Sequence, residues 1–135
     1  MMLDHTDLAI IDELRANGRM TMKELGAKVH LSAQAARLRV DKLEEMGVIT
    51  GYTAIVEPAK LGLPVHAFLH LFMNNIYHGP LHAFLNAQQY VVRTHKISGD
   101  ACYLLEARFP TNVELDDFLT ELNAYANYRL SIVIR

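Results

Sequence analysis

The stretch from Thr21 to Ser32 constrains the fold most, because it holds two helix beginnings and leaves almost no chain between the helices. Thr21-Met22-Lys23-Glu24 has the spacing of a capping box, in which the Thr hydroxyl takes one orphan amide and the Glu carboxylate another. Met22, Leu25 and Val29 then form the apolar stripe of a short helix that ends near His30. Only Leu31 separates it from Ser32, the cap of a further helix that runs to about Met46, where Gly47 suits a left-handed stop. Two helices joined this tightly read as a helix-turn-helix over about residues 22–41. Upstream, residues 3–17 supply a supporting helix, with Asp4 as its cap, Asp7 at its positive end, and Leu8, Ile11 and Leu14 as its stripe.

Residues 48–56 are rich in β-branched side chains and Tyr, read as extended, and lead into Pro58, Gly62 and Pro64, which suit a hinge. The expected division is a DNA-binding domain over 1–50, an extended linker over 51–64 and a second domain over 65–135. In that domain, strands are expected from Val65 to Met73, Val91 to Ile97, Ala101 to Phe109 and Tyr128 to Ile134. A helix from Pro80 to Gln88 turns Leu81, Phe84 and Leu85 inward, and a later one carries Leu115, Phe118, Leu119 and Leu122 on one face. The order βαββαβ predicts an α+β domain of the ferredoxin-like kind, an antiparallel sheet with both helices on one face. In its first strand His66, Phe68, His70 and Phe72 alternate with the core positions, so the other face is also aromatic and apolar. Water is a poor neighbour for such a face, and those four residues are the expected homodimer interface.

Composition supports this division. With 135 residues and 51% apolar side chains the chain can build cores, but two small modules gain from burial between subunits. A net charge of -2 excludes coating of nucleic acid by bulk electrostatics and leaves room for a local basic stripe. No apolar run reaches membrane-spanning length, the first residues lack a signal-peptide pattern, and Cys102 has no partner Cys, so the expected compartment is the cytoplasm.

On the third helix Ala36, Val40 and Leu43 cluster on one side at 100° per residue, leaving Gln34, Arg37, Leu38 and Asp41 on the other. Gln34 has the amide to read adenine, Arg37 the fork for guanine or phosphate, and Leu38 an apolar tip for a thymine methyl. Lys42, Lys23 and Arg19 suit phosphate contacts; Thr21, Ser32 and Ala35 complete the expected DNA surface. Arg39 falls nearer the core side, where its guanidinium suits a carboxylate as much as a phosphate.

The run Leu31-Ser32-Ala33-Gln34-Ala35-Ala36-Arg37-Leu38-Arg39-Val40, then Leu43-Glu44 and Gly47-Val48-Ile49-Thr50-Gly51-Tyr52, resembles the signature of the Lrp/AsnC regulators. Leu61-Gly62-Leu63-Pro64 and Ser98-Gly99-Asp100 extend the resemblance over nearly the whole chain. It implies a winged helix-turn-helix joined to a βαββαβ sensing domain, dimers that assemble further into tetramers or octamers, and an amino acid or related metabolite as effector. The effector-binding residues it implies are Ser98, Gly99, Asp100, Ala101 and Cys102, at a contact between dimers. Ala101 and Cys102 stand where many members carry an aromatic and a second Asp, which removes an acidic partner for a ligand ammonium group.

Catalytic signals are few. No phosphate-binding glycine loop, nucleophile elbow or paired-cysteine zinc spacing occurs, so no enzyme activity, metal or cofactor is expected. His78 and His82 have helical i,i+4 spacing, but Pro80 should open the helix and leave His78 outside it. His66 and His70 share a strand face roughly 13 Å apart, too far for one ion. Siroheme decarboxylases resemble the same two-domain family, and for a tetrapyrrole site of that kind the candidates are His66, His70, His95, Arg93 and Lys96. An architectural DNA binder without an effector is the third reading.

Overall fold

Each of the first three helices begins where a side chain takes an amide that has no partner within the helix. The computed structural model describes residues 2–135. In α1 (His5–Ala16) the caps are reciprocal: Asp7 N donates to Asp4 Oδ1 at 2.8 Å and Asp4 N to Asp7 Oδ2 at 3.1 Å. The predicted box opens α2 (Met22–Val29), with Glu24 N donating to Thr21 Oγ1 at 3.1 Å and Thr21 N to Glu24 Oε1 at 3.3 Å. Ser32 Oγ accepts from Ala35 N at 3.1 Å to start α3 (Ala33–Glu45). Gly47, at φ 73°, ends it in the left-handed region, and Val48 N donates back to Leu43 O at 3.0 Å.

The chain divides into two compact units, Met1–Ile55 and Val56–Arg135. The core of the first is Ile10, Leu14, Met20, Leu25, Ala36, Val40 and Leu43. The expected stripe of α1 is corrected here: Leu8 is 48% exposed, Ile10 is fully buried, and Asp7 shares the inward side. Asp7, Ile10 and Leu14 share one face of the helix by their spacing, burial of Ile10 and Leu14 turns that face inward, and Arg39 of α3 meets the Asp7 carboxylate there. The segment after α3 joins no strand ladder, and the expected hinge contains one turn of 3-10 helix, Pro58–Leu61, closed by Gly62 at φ 77°.

The second unit is the expected ferredoxin-like βαββαβ domain. Its elements are β1 (Val65–Phe72), α4 (Gly79–Asn86), β2 (Val91–Lys96), β3 (Tyr103–Phe109), α5 (Asn112–Leu122) and β4 (Asn127–Ile132). The strands lie in the order β2-β3-β1-β4, every pairing antiparallel. Ala67, Leu69, Leu71, Leu105, Ala107 and Phe109 pack against Leu81, Leu85, Leu115, Phe118 and Leu122, which fixes both helices on one face. The third strand starts at Tyr103, later than expected, and ahead of it Ala101 N–H is taken by the Asp100 carboxylate at 3.0 Å. Among the described residues, no helix is long and apolar enough to cross a membrane.

Candidate DNA interface and the open face of the sheet

The turn between α2 and α3 depends on two residues that composition hides. His30 closes α2 at φ 62°, a left-handed position that few side chains other than glycine adopt, with its N–H bonded to Gly26 O. Gly26 permits the close return of the chain, since a Cβ there would lie 2.4 Å from the carbonyl oxygen of Leu31. Sequence reasoning missed Gly26. The available signal was a glycine inside an otherwise helical stretch, which costs about 1 kcal/mol relative to alanine and so calls for a packing reason.

With α3 anchored by Ala36, Val40 and Leu43, its other side is open. Gln34, Arg37, Leu38, Asp41 and Lys42 are all exposed, and Leu38 is 64% exposed. Lys23 on α2 and Arg19 ahead of it are exposed as well. Thr21 and Ser32 are occupied as helix caps, and Ala35 is half-buried. Arg39 lies apart from this group: its Nη1 donates to Asp4 Oδ2 at 2.6 Å and to Asp7 Oδ1 at 3.1 Å. Those contacts raise its pKa further, Asp4 contributing most. The Asp4 carboxyl is held below its ordinary value, first by the Asp7 amide and then by Arg39. Arg39 therefore clamps α3 to the start of α1. Beyond α3, partial desolvation of the largely exposed Tyr52 pushes its phenol above its ordinary value, and the Glu44 and Asp41 carboxylates add to the effect.

In the second unit the strand faces fall as the alternation predicts. Ala67, Leu69 and Leu71 are fully buried, while His66, Phe68, His70 and Phe72 are half-buried on the face away from the helices. Glu106 Oε2 lies 2.6 Å from His66 Nε2, and Arg108 Nη2 lies 3.2 Å from His66 Nδ1. Guanidinium only donates, so Nδ1 accepts and Nε2–H donates to the carboxylate, which is the neutral tautomer. Arg129 stands 5.5 Å over the Phe72 ring. His70 Nδ1 is buried with no hydrogen-bond partner among the described residues. The strand register places Arg93 and His95, both exposed, opposite Glu106 and Leu104 on this face, whereas Lys96 pairs with Tyr103 and belongs to the helix side. The five tetrapyrrole candidates are thus divided between the two faces.

The Ser98-Gly99-Asp100 turn is exposed, with Gly99 at φ 103°. Ala101 is buried and Cys102 half-buried, and their amides are engaged by Asp100 and by Leu71 O at 2.8 Å. These two amides are therefore not free to meet a ligand carboxylate. The expectation for His78 is corrected in part. It does stand outside α4, as Pro80 requires, yet His78 Nδ1 and His82 Nε2 both reach Tyr103 Oη, at 2.7 and 3.1 Å.

A capped helix-turn-helix with an open outer face, followed by a ferredoxin-like domain with one uncovered sheet face, defines a DNA-binding regulator. Residues 3–50 match the winged helix-turn-helix DNA-binding family model, and residues 66–135 match the Lrp/AsnC ligand binding domain. The chain belongs to the Lrp/AsnC family of transcriptional regulators. It is 51% identical to the HTH-type transcriptional regulator LrpA of Bacillus subtilis, over 98% of each chain. The structure of Bacillus subtilis LrpC superposes with a TM-score of 0.94 at 32% identity, covering 100% of this chain and 96% of that one. A Neisseria meningitidis transcriptional regulator, solved as its L-Met complex, superposes at 0.91 with 27% identity, covering 99% and 91%.

Proposed function

We propose that this regulator binds operator DNA as a homodimer, reading bases with Gln34, Arg37 and Leu38 and holding phosphates with Lys42, Lys23 and Arg19. The observation that carries the reading is the outer face of α3, where an amide, a guanidinium and a 64% exposed leucine stand together on a helix anchored from behind. Ser32 and Thr21 contribute through the amides at the helix starts they cap, and Arg39 positions the recognition helix through Asp4 and Asp7. Residues 1–50 form the DNA reader, 51–64 the linker and 65–135 the dimerisation and sensing domain.

The second copy lies on the open sheet face, where it would cover Phe68 and Phe72 and offer a partner to His70 Nδ1. Higher assembly follows from contacts between dimers at the Ser98–Cys102 turn. An amino acid or a related metabolite is the effector proposed for this turn, supported by the L-Met complex of the Neisseria relative. Its effect on DNA binding equals its difference in affinity between assembly states. The protein acts in the cytoplasm and catalyses no reaction, in keeping with relatives that are transcriptional regulators.

The test is binding to the DNA upstream of its own gene against a scrambled duplex, over a salt series and with an amino-acid panel. Preference for the natural duplex with a steep salt dependence is expected. Weak, unselective binding at every salt concentration would replace this reading with the architectural one, and no binding would turn attention to a bound tetrapyrrole.

A further inference from the structure

His78, His82 and Tyr103 bring three potential metal-ligating atoms together, and none of the three residues takes part in the DNA interface or the open sheet face. His78 occupies the N-cap position of α4 without a side-chain capping bond, and His82 N donates to His78 O at 3.0 Å, so the first turn of the helix ties the two residues together. Pro80 sets the backbone of that turn. Tyr103 is 3% exposed, whereas His78 is half-buried and His82 exposed, so the phenol is the floor of the cluster and the imidazoles its rim.

The proton inventory is determined by one carbonyl. His78 Nε2 lies 3.0 Å from Asn75 O, which only accepts, so in the neutral imidazole Nε2 carries the proton and Nδ1 presents its lone pair to Tyr103 Oη at 2.7 Å. The phenol donates its single proton to Nδ1, and His82 therefore donates from Nε2 at 3.1 Å. Ligands at about 2.0–2.1 Å from an ion stand about 3 Å from one another, close to both of these separations.

We propose that His78 Nδ1, His82 Nε2 and Tyr103 Oη form a binding site for a divalent ion of the first transition row, with Cu²⁺ the best match. Two imidazoles suit that ion, and the affinity order of such ions peaks at copper. On binding, the Tyr103 proton leaves to solvent and the phenolate oxygen bonds the metal. The ring proton of His82 moves from Nε2 to Nδ1, a shift that costs little on an exposed imidazole, and water fills the remaining positions. The bond from His78 Nε2–H to Asn75 O persists as the outer contact that orients the ligand. Among the described residues no three His, Cys, Asp or Glu side chains gather in a metal-binding group, so the third donor is the phenol. Tyr103 begins β3 directly after the Ser98–Cys102 turn, so the ion would tie the start of α4 to the strand beside that turn.

Metal-free full-length protein titrated with Cu²⁺, followed by calorimetry, electron paramagnetic resonance and visible absorption, tests this. One ion per chain is expected, with nitrogen couplings and a phenolate-to-copper charge-transfer band that Tyr103→Phe abolishes. His82→Ala should weaken binding at least about tenfold while His5→Ala leaves it unchanged. Thermal melts of the metal-free variants show that each is folded, and DNA binding without metal keeps this result separate from the operator reading. Absence of one-to-one binding, absence of the charge-transfer band, or equal affinity in His82→Ala and His5→Ala would overturn the proposal.

Discussion

Arg39 and Asp7, far apart in sequence, meet at 3.1 Å and fix how α3 lies on α1, with Asp4 sharing the same guanidinium nitrogen at 2.6 Å. Asp7 is a buried charged residue, and losing its partner leaves a carboxylate facing the core. Arg39→Met should lower stability by about 1 kcal/mol, a modest figure because the guanidinium is partly exposed and screened. The pH dependence has a definite sign. The Asp4 carboxyl is held below its ordinary value of 3.8, so its contribution is present above that value and is lost as pH falls through the lower folded value. Melting temperature against pH should therefore fall more steeply in acid for the wild type than for Arg39→Met. Parallel curves would remove the role assigned to the pair.

Gly26 gives a prediction whose sign decides between two effects. Helix propensity alone makes Gly26→Ala stabilising by about 1 kcal/mol. The 2.4 Å approach to the Leu31 carbonyl makes it destabilising instead, by about 1–3 kcal/mol, because the obstructing atom is backbone. Urea unfolding should show the second result, and a more stable variant would mean that the turn can relax.

Arg37→Ala should weaken operator binding by about 1–3 kcal/mol if the proposed base contact holds, and should leave the melting temperature unchanged because the side chain is exposed. Lys42→Ala should weaken binding to all duplexes alike and lower the salt slope by about one. Fluorescence anisotropy across a salt series reads both. If Arg37→Ala binds as tightly as wild type, the recognition face has been misassigned.

Neighbouring positions of β1 should fail in different ways. Phe68→Asp places a charge on the open face and should yield a folded monomer, visible in analytical ultracentrifugation with an unchanged circular dichroism spectrum. Leu69→Asp buries a charge in the core of its own chain and should prevent folding. A Phe68→Asp protein that stays dimeric would move the interface elsewhere.

The helix starts were legible because caps are local chemistry: Asp4, Thr21 and Ser32 each accept the amide that their spacing implies. The faces of β1 were legible for a similar reason, since a period of two needs only the neighbouring residues. What escaped depends on residues distant in sequence. Nothing near Leu8 indicates that the inward face runs through Asp7 and Ile10, because the Arg39 that meets the Asp7 carboxylate lies two helices away in sequence. The His78 and His82 rings likewise converge only because β3 carries Tyr103 beneath them. At Gly26 the residue was visible but the carbonyl it makes room for was not, because that atom arrives only once the turn has closed. Arg39 lay between these cases: the helical wheel placed it near the core side, and the structure supplied its carboxylates.

The segment after α3 leaves the chain open to recombination. Residues 51–57 are exposed and belong to no ladder, and the two units part at Ile55 and Val56, so a crossover here interrupts neither core. Length can vary there at small entropic cost, since doubling a flexible loop adds only about 0.6 kcal/mol. The turn from Gly26 to Ser32 has no such latitude, because one added residue would displace the cap on which α3 begins. Either unit can therefore be exchanged for another at this junction without disturbing its neighbour's core, while the spacing between α2 and α3 stays fixed.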